Sequence, residues 1–216
     1  MSKNIIIAGA SRSGKSTLAR KLNEEAGYYV ISIDKLVAVF GNAYPDLDIR
    51  LNWNRDKTTE NIAPFLAHYL GMFSSADGRG LMDYSHGSVP GNKFILEGAY
   101  LDLDKISEIL KRYGIEDMKD HFHLIGLVQQ GKTAEGFYSD LKRFDTEDDW
   151  TYSLSEDELR AVAEDMVEFN SEMLGKLSDH GFDIHDTSND REAVFEEIVR
   201  KIVRGYRYEG RTDKTG

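Results

Sequence analysis

The sequence predicts an α/β protein in which helices cover both faces of a five-stranded parallel sheet. Five short apolar runs are separated by stretches with helical periodicity, and this alternation is typical of such a sheet. Each run is apolar at nearly every position, which indicates strands that are buried on both faces. We expect these strands at residues 4–8, 28–33, 93–96, 121–128 and 182–185.

The first two predicted helices are recognised by an apolar stripe and by capping residues. The helix after Gly14 carries its apolar side chains on one face, at Leu18, Ala19, Leu22 and Ala26. The second helix follows Asp102, a favourable N-cap residue, and Gly114 is expected to end it. Its inward-facing residues would be Leu103, Ile106, Leu110 and Tyr113.

Two further helices are predicted in the second half of the chain. Ser155 and Glu158 have the spacing of a capping box. Behind them runs an apolar stripe, formed by Leu159, Val162, Ala163, Met166, Phe169, Met173 and Leu177. The last helix carries Val194, Ile198, Val199 and Ile202 on one face, and we expect Ser188 or Asn189 to cap it.

Two segments interrupt this alternation. Residues 41–91 contain one helical stretch at 62–73, with Pro64 near its start, and are otherwise rich in glycine, asparagine and aspartate. Residues 143–155 are short, acidic and aromatic. Loop-rich segments in a compact domain are often functional, so both could move over a ligand. We expect one domain over residues 1–208 and a flexible tail over 209–216.

The composition excludes several classes of function. The chain has 216 residues and a formal net charge of −11, which argues against non-specific binding of DNA or RNA. A small anionic ligand in a local positive pocket remains compatible with this charge. Because there is no cysteine, disulfides and thiolate zinc sites are excluded. No apolar run approaches the roughly 18 residues of a membrane helix, and the first residues do not resemble a signal peptide, so we expect a cytoplasmic protein without a membrane partner.

The segment from Gly9 to Ser16 fits the pattern G-x-x-x-x-G-K-S/T, directly after an apolar strand and before a helix. We call it the phosphate loop. Gly9 and Gly14 permit backbone angles that other residues avoid, so several N–H groups can turn inward around a phosphate. The helix N-terminus and the Lys15 ammonium add positive charge, and the Ser16 hydroxyl can bind a Mg²⁺ ion. A glycine-rich turn that binds nothing is the alternative, which this combination of residues disfavours.

These features predict a site for ATP and Mg²⁺. The residues expected to contact the nucleotide are Gly9, Ser11, Arg12, Ser13, Gly14, Lys15, Ser16 and Thr17. Residues 126–133 fit the same pattern, but Leu127 and Val128 are typical of a buried strand. We therefore interpret this second match as a coincidence, although Lys132 could still approach the ligand from the edge.

Two acidic residues are expected at the carboxyl ends of strands, where ligands bind in parallel sheets. Asp34 follows the second predicted strand and could accept a proton from an acceptor hydroxyl, or hold Mg²⁺ through water. The alternative is a cap for a helix over residues 35–40, a role that can coexist with the first. Glu97 ends the third strand, where it could assist Asp34 or simply be a solvated carboxylate.

Several other polar residues are candidates for the site. Arg143 precedes the acidic segment and could balance charge on a phosphoryl group, or it could belong to a surface charge pair with Lys142. Arg12 could face phosphate or solvent. The insertion at 41–91 offers possible acceptor-binding side chains, namely Tyr44, Arg50, Trp53 and Arg55, which could instead pack the insertion together.

Taken in order, these residues resemble small P-loop kinases of the adenylate kinase-like and uridine kinase-like group. The resemblance rests on Gly9–Ser16, Asp34, residues 96–98, the pair at 142–143 and residues 186–188, of which only the phosphate loop is highly specific. It implies a P-loop NTPase sandwich (α/β/α) with an acceptor-binding insertion after the second strand and a lid after the fourth. It also implies that Lys15 and Ser16 serve phosphate and Mg²⁺, that Asp34 serves the acceptor or the metal, and that Arg143 is a lid arginine.

We therefore expect an ATP-dependent enzyme that phosphorylates a small-molecule acceptor, with Lys15, Asp34, Glu97 and Arg143 as its catalytic residues. The segment after Arg143 is acidic, whereas adenylate kinases carry several arginines there, so a neutral hydroxyl compound is as plausible as a nucleotide. The missing Asn-Lys-x-Asp stretch argues against a GTP-binding switch. A nucleotide-binding regulatory module with weak ATPase activity is the alternative function.

Overall fold

The computed structural model describes residues 3–51, 54–74, 93–147 and 149–212, with side chains as far as residue 203. Its strands are β1 (Asn4–Gly9), β2 (Tyr29–Ser32), β3 (Phe94–Gly98), β4 (Phe122–Val128) and β5 (Asp183–Asp186). They form one sheet in the order β2-β3-β1-β4-β5, and every pairing is parallel. The predicted five-stranded parallel sheet is therefore confirmed.

The helices alternate with the strands along the chain. They are α1 (Lys15–Ala26), α2 (Ile33–Ala43), α3 (Arg55–Ser74), α4 (Leu103–Leu110), α5 (Met118–His121), α6 (Ala134–Phe144), α7 (Glu156–Asp179) and α8 (Arg191–Thr212). Short 3₁₀ turns cover Pro45–Leu47 and Lys111–Tyr113. Among the described helices, none combines the length and the apolar character needed to cross a membrane.

The central strand β1 is buried on both faces, which is the basis of the three-layer architecture. Ile5 and Ile7 pack with residues of α1 and α8, whereas Ile6 and Ala8 pack with residues of α3, α4 and α7. Burying one isoleucine side chain contributes roughly 1.5–3 kcal/mol. An uninterrupted apolar run is needed because neither face of this strand meets water.

The predicted caps are present. The Asp102 side chain accepts a hydrogen bond from the Lys105 N–H at 3.0 Å, and Gly114 ends the following turn with a φ of 73°. Ser155 and Glu158 form the capping box at the start of α7. These contacts satisfy N–H groups that the first turn of a helix leaves without partners.

Several element boundaries differ from the sequence-based expectations. Strand β2 ends at Ser32, because Ile33 turns into the core and begins α2. His121 closes α5 instead of opening β4. The cap of α8 is Asp190, whose Oδ1 accepts from the Ala193 N–H at 3.1 Å, and not Ser188 or Asn189. The last helix reaches Thr212, past residue 208, where we placed the end of the domain.

The insertion contributes a core helix as well as loops. Helix α3 begins at Arg55, so Pro64 lies in its interior and not near its start. Proline has no N–H to donate to the Glu60 carbonyl. Lys105 Nζ donates to that carbonyl instead, at 3.3 Å. Trp53 and residues 75–91, which belong to the expected acceptor-binding insertion, lie outside the described residues.

Candidate active site

The phosphate loop connects the central strand β1 to α1, at the carboxyl edge of the sheet. Its two glycines are required by close packing. A Cβ atom on Gly9 would lie 2.1 Å from the Leu127 carbonyl oxygen, and one on Gly14 would lie 2.5 Å from Cζ of Phe195. Gly14 also has a φ of +95°, which residues with a side chain rarely adopt. The loop therefore lies directly against β4 and α8.

The Lys15 side chain is folded into the phosphate loop. Its Nζ donates to the Ala10 carbonyl at 2.7 Å. Burial lowers the pKa of Lys15, while the nearby carboxylates of Asp34 and Glu97 act in the opposite direction. The ammonium group thus lies among the loop carbonyl and two acidic side chains, at the place where the sequence predicts a phosphate-binding cation.

Ser16 and Glu97 are joined across the sheet edge. The Ser16 hydroxyl donates to Glu97 Oε2 at 3.1 Å. Glu97 is in register with Ile7 of β1 and therefore faces the same side of the sheet as α1, which carries Ser16. Only 4% of Glu97 is exposed, so the alternative of a solvated strand-end carboxylate is wrong.

Asp34 lies in the first turn of α2, beside this pair. Ser32 occupies the N-cap position, so the expectation that Asp34 caps a helix over 35–40 is wrong. Burial raises the pKa of Asp34; Lys15 opposes this rise, and Glu97 adds to it. Asp34 is therefore close enough to both Lys15 and Glu97 for their charges to act on it in opposite directions.

The oxygen atoms at this edge have the chemistry that Mg²⁺ requires. They come from one hydroxyl, Ser16, and two carboxylates, Asp34 and Glu97. Mg²⁺ is bound through one or two carboxylates together with waters and substrate phosphates, so a complete protein cage is not needed. Within the described ranges, no group of three or more histidine or acidic side chains could form such a cage.

A cavity of about 460 Å³ adjoins the phosphate loop. Its walls come from the loop, the end of β4, α6, α7 and the start of α8, and they include Arg12, Gln129, Arg143, Met166, Thr187 and Arg191. The Thr187 hydroxyl ties the cavity to the loop, because its Oγ1 lies 3.0 Å from the Ser13 carbonyl oxygen. This volume is within the range of cavities that hold small ligands.

Arg12 connects the phosphate loop to the acidic segment 143–155, which we call the lid segment. Its guanidinium lies 2.7 Å from Asp145 and 3.1 Å from Asp149, and donates to the Thr151 hydroxyl at 3.1 Å. The Arg12 backbone is left-handed, with a φ of 62°. Sequence reasoning missed these ion pairs, since the partners are more than 130 residues apart. The acidic character of the lid segment was the available signal.

The remaining loop residues have different surroundings. Ser13 is buried, and its hydroxyl donates to the Ala10 carbonyl at 2.9 Å, so this side chain braces the loop. Ser11 is exposed, and Thr17 is half-buried in the first turn of α1. Their predicted nucleotide contacts remain predictions.

Arg143 is separate from the group formed by Lys15, Asp34 and Glu97. It lies in the last turn of α6, lines the cavity, and its guanidinium carbon is 4.9 Å from the Phe144 ring centroid. In the second motif match, Leu127 and Val128 lie in buried β4, so only residues 129–133 form a loop and the match differs from the phosphate loop. Lys132 also lines the cavity and is paired with Asp140.

The described candidate residues of the insertion are spread over its surface. Arg55 pairs with Asp165 of α7 at 3.0 Å and stacks on Phe169, with 3.9 Å from Cζ to the ring centroid. Arg50 donates to the Pro45 carbonyl at 3.1 Å. Tyr44 is exposed. Of these residues, Arg55 is the one that links the insertion to the helix behind the lid segment.

Comparisons with known proteins relate this chain through its fold. No protein-family model matches the sequence, and no curated protein matches it. The fold is similar to that of shikimate kinase from Bacteroides thetaiotaomicron, with 12% identity and a TM-score of 0.55 over 95% of this chain and 98% of that one. It is also similar to that of a candidate kinase from Chloroflexus aurantiacus j-10-fl, with 15% identity and a TM-score of 0.51 over 96% and 97%. These similarities confirm the predicted fold, a three-layer α/β/α sandwich around a five-stranded parallel sheet.

Proposed function

We propose that this protein is a kinase that transfers a phosphoryl group from ATP to a small-molecule acceptor. The observation that carries the proposal is the group formed by Lys15, Ser16, Asp34 and Glu97 at the carboxyl edge of the sheet. Three different elements supply these residues, and they lie where parallel sheets bind ligands. The kinase fold of the structural neighbours supports the same conclusion.

The phosphate loop would bind the triphosphate. Its N–H groups and the N-terminus of α1 attract anionic oxygens. Lys15 Nζ, which now donates to the Ala10 carbonyl, would turn to the β- and γ-phosphates. Arg12 would be drawn to the same oxygens, in competition with Asp145 and Asp149 of the lid segment.

Ser16, Asp34 and Glu97 would hold Mg²⁺, with water between the ion and one or both carboxylates. Bound there, the ion would neutralise developing charge on the phosphates and keep them in line with the acceptor. The Ser16 hydroxyl would then turn its oxygen towards the ion and give up its present hydrogen bond to Glu97.

Asp34 would take the proton of the acceptor hydroxyl. Because burial raises its pKa, the ionised Asp34 carboxylate is a better proton acceptor than an ordinary aspartate. Glu97 would help to orient the acceptor or the ion. Arg143, on the cavity wall beside the lid segment, would approach the transferred phosphoryl group when the lid segment closes.

The acceptor would bind on the side of the insertion, within reach of the Asp34 carboxylate. Acceptors to be tested are nucleosides, nucleoside monophosphates and sugar-like metabolites, together with shikimate, since a shikimate kinase shares the fold. ATP turnover is measured with and without each compound. Strong stimulation by one of them supports the kinase, whereas slow hydrolysis that no compound changes favours a regulatory module with weak ATPase activity.

The assignment of the phosphate loop has a direct test with two lysine variants. Lys15→Ala should lower ATP turnover by about 100-fold or more, because a buried cation that faces the phosphates is lost. Lys132→Ala, in the second motif match, should have a much smaller effect, since Lys132 is paired with Asp140. If only the Lys132 variant loses ATP affinity, the proposed site is wrong.

A further inference from the structure

One buried side chain in the cavity lacks hydrogen-bond partners. Among the described residues, three buried side-chain atoms have none, and two of them are Nε2 and Oε1 of Gln129. The third is Oδ1 of Asp145, which has an ionic partner in Arg12 at 2.7 Å. Gln129 is 1% exposed, so its amide is shielded from bulk solvent. Buried polar groups are nearly always paired, which makes both ends of one unpaired amide exceptional.

The position of Gln129 is held firmly by its own backbone. Its N–H donates to Asn170 Oδ1 at 2.8 Å, and Asn170 Nδ2 donates back to the Gln129 carbonyl at 3.0 Å. The Asn170 amide is thereby occupied at both ends. Gln129 follows the last residue of β4, so a strand end and α7 together fix where its side chain begins.

The surroundings of Gln129 offer no compensation for the buried amide. It lines the cavity together with apolar side chains, such as Phe137 and Met166, and with charged and polar ones, such as Lys132 and Asp140, but none of them forms a hydrogen bond with its amide. A leucine would occupy a similar volume there without the cost of burying an unpaired donor and an unpaired acceptor. The amide is therefore better explained by a ligand in the cavity than by packing.

We propose that Gln129 recognises the adenine base of the nucleotide, an inference that rests on the proposed kinase function. The amide oxygen would accept from the 6-amino group, and the amide NH₂ would donate to N7. At this edge adenine offers one donor and one acceptor, which is the complement of a primary amide, whereas guanine offers two acceptors. The cavity adjoins the phosphate loop through Arg12 and Thr187, so a base bound there can belong to a triphosphate held in the loop.

The test compares nucleotides that differ at single positions of the base. Dissociation constants are measured on the full chain with Mg²⁺ for ATP, for purine riboside triphosphate, which lacks the 6-amino group, for 7-deaza-ATP, which lacks N7, and for GTP. The native protein should bind ATP about 10-fold or more tightly than any of the others, because a site built for hydrogen bonds discriminates against ligands that lack them.

The variant Gln129→Leu should lose this discrimination. ATP should then bind about as weakly as purine riboside triphosphate and 7-deaza-ATP. The affinity of ATP should fall more than theirs, because each analogue makes only one of the two hydrogen bonds to the native amide. The melting temperature of the ligand-free variant should not fall, since an unpaired amide is removed. Gln130→Leu is the matched control: Gln130 is the next residue and is exposed, so its replacement should leave all four affinities unchanged.

The outcomes separate this inference from the proposed function. If the native protein binds ATP, but Gln129→Leu keeps the native ratios, Gln129 does not read the base and the kinase proposal is unaffected. Equal binding of 7-deaza-ATP and ATP by the native protein, or equal binding of GTP and ATP, also overturns the inference. If no triphosphate binds at all, the proposed function fails as well. Gln129→Met serves for the same comparison if the leucine variant does not fold.

Discussion

Individual residues at the sheet edge owe their chemistry to burial. Lys15, Asp34 and Glu97 form a group in which two acids face one cation. Burial lowers the pKa of Lys15 and raises the pKa of Asp34, so each group holds its charge less firmly than in water. A bound Mg²⁺ ion would supply positive charge beside the two acids, and the triphosphate would supply negative charge beside Lys15.

The raised pKa of Asp34 predicts how activity depends on pH. Asp34 must be ionised to accept a proton or to hold Mg²⁺, so kcat/KM should fall as the pH decreases, starting above the ordinary value of 3.8. Asp34→Asn should lower turnover by about 100-fold or more and remove this acidic limb from the profile. A variant with native turnover and the native pH profile would exclude Asp34 from the mechanism.

The raised pKa of Asp34 also affects the stability of the fold, which changes with pH in the opposite direction to activity. Because the folded protein binds the Asp34 proton more tightly than the unfolded chain does, the contribution of this group to stability decreases as the pH rises from 3.8 through the raised pKa. Asp34→Asn should therefore reduce the pH dependence of the free energy of unfolding in this window. Urea denaturation at several pH values measures it.

At the scale of elements, the phosphate loop and the lid segment are held together by ion pairs. Asp145 is 6% exposed, Asp149 is 30% exposed, and both contact Arg12. The hydrogen bond from the Thr146 N–H lowers the pKa of Asp149, and the positive charge of Arg12 lowers it further. In the proposed nucleotide complex, phosphate oxygens bound to Arg12 would compete with these carboxylates and release the lid segment.

This contact predicts the dynamics of the lid segment. Arg12→Gln leaves the buried Asp145 carboxylate without its cation, so hydrogen exchange of amides 149–154 should accelerate by about 10-fold. Arg160→Gln is the control, because Arg160 pairs with Glu135 on the exposed surface and should matter little. Unchanged exchange in the Arg12 variant would mean that the turns of the lid segment hold it in place without the ion pairs.

At the scale of the whole molecule, the N-terminal loop and the C-terminal helix stabilise each other. Phe195 of α8 is fully buried, and it packs so closely against Gly14 that no side chain fits there. Arg191 donates to the Arg12 carbonyl at 3.2 Å and Thr187 contacts the Ser13 carbonyl, so the segment after β5 supports the loop along its length. The shape of the phosphate loop therefore depends on residues almost at the other end of the chain.

Two glycine variants measure this packing. Gly14→Ala should lower the free energy of unfolding by about 2–4 kcal/mol, because backbone strain adds to the clash with Phe195. Gly114→Ala has similar backbone strain, with a φ of 73°, but open space around its Cβ, so it should cost only about 1 kcal/mol. Equal losses in urea denaturation would show that the contact with Phe195 contributes nothing.

Patterns of neighbouring residues were sufficient to predict the strands, the phosphate loop, the Asp102 cap and the Ser155 capping box. These features depend on spacings of a few residues, which a single sequence contains. The exact limits of β2 and α8 did not follow from spacing, because the burial of Ile33 and the cap by Asp190 depend on how the helices pack.

The contacts that surround the candidate site could be identified only from the folded structure. Ser16 contacts Glu97, 81 residues further along the chain, and Arg12 contacts Asp145 and Asp149, more than 130 residues away. The Gln129 side chain is left unpaired, although Asn170 binds the Gln129 backbone. No local pattern encodes such contacts, since they arise from the order of the strands and from which helices cover them. The sequence alone thus predicted the loop from Gly9 to Ser16 and its phosphate-binding role. Only the folded chain established which acids, arginines and amide lie near this loop, because burial and distance are properties of packed surfaces.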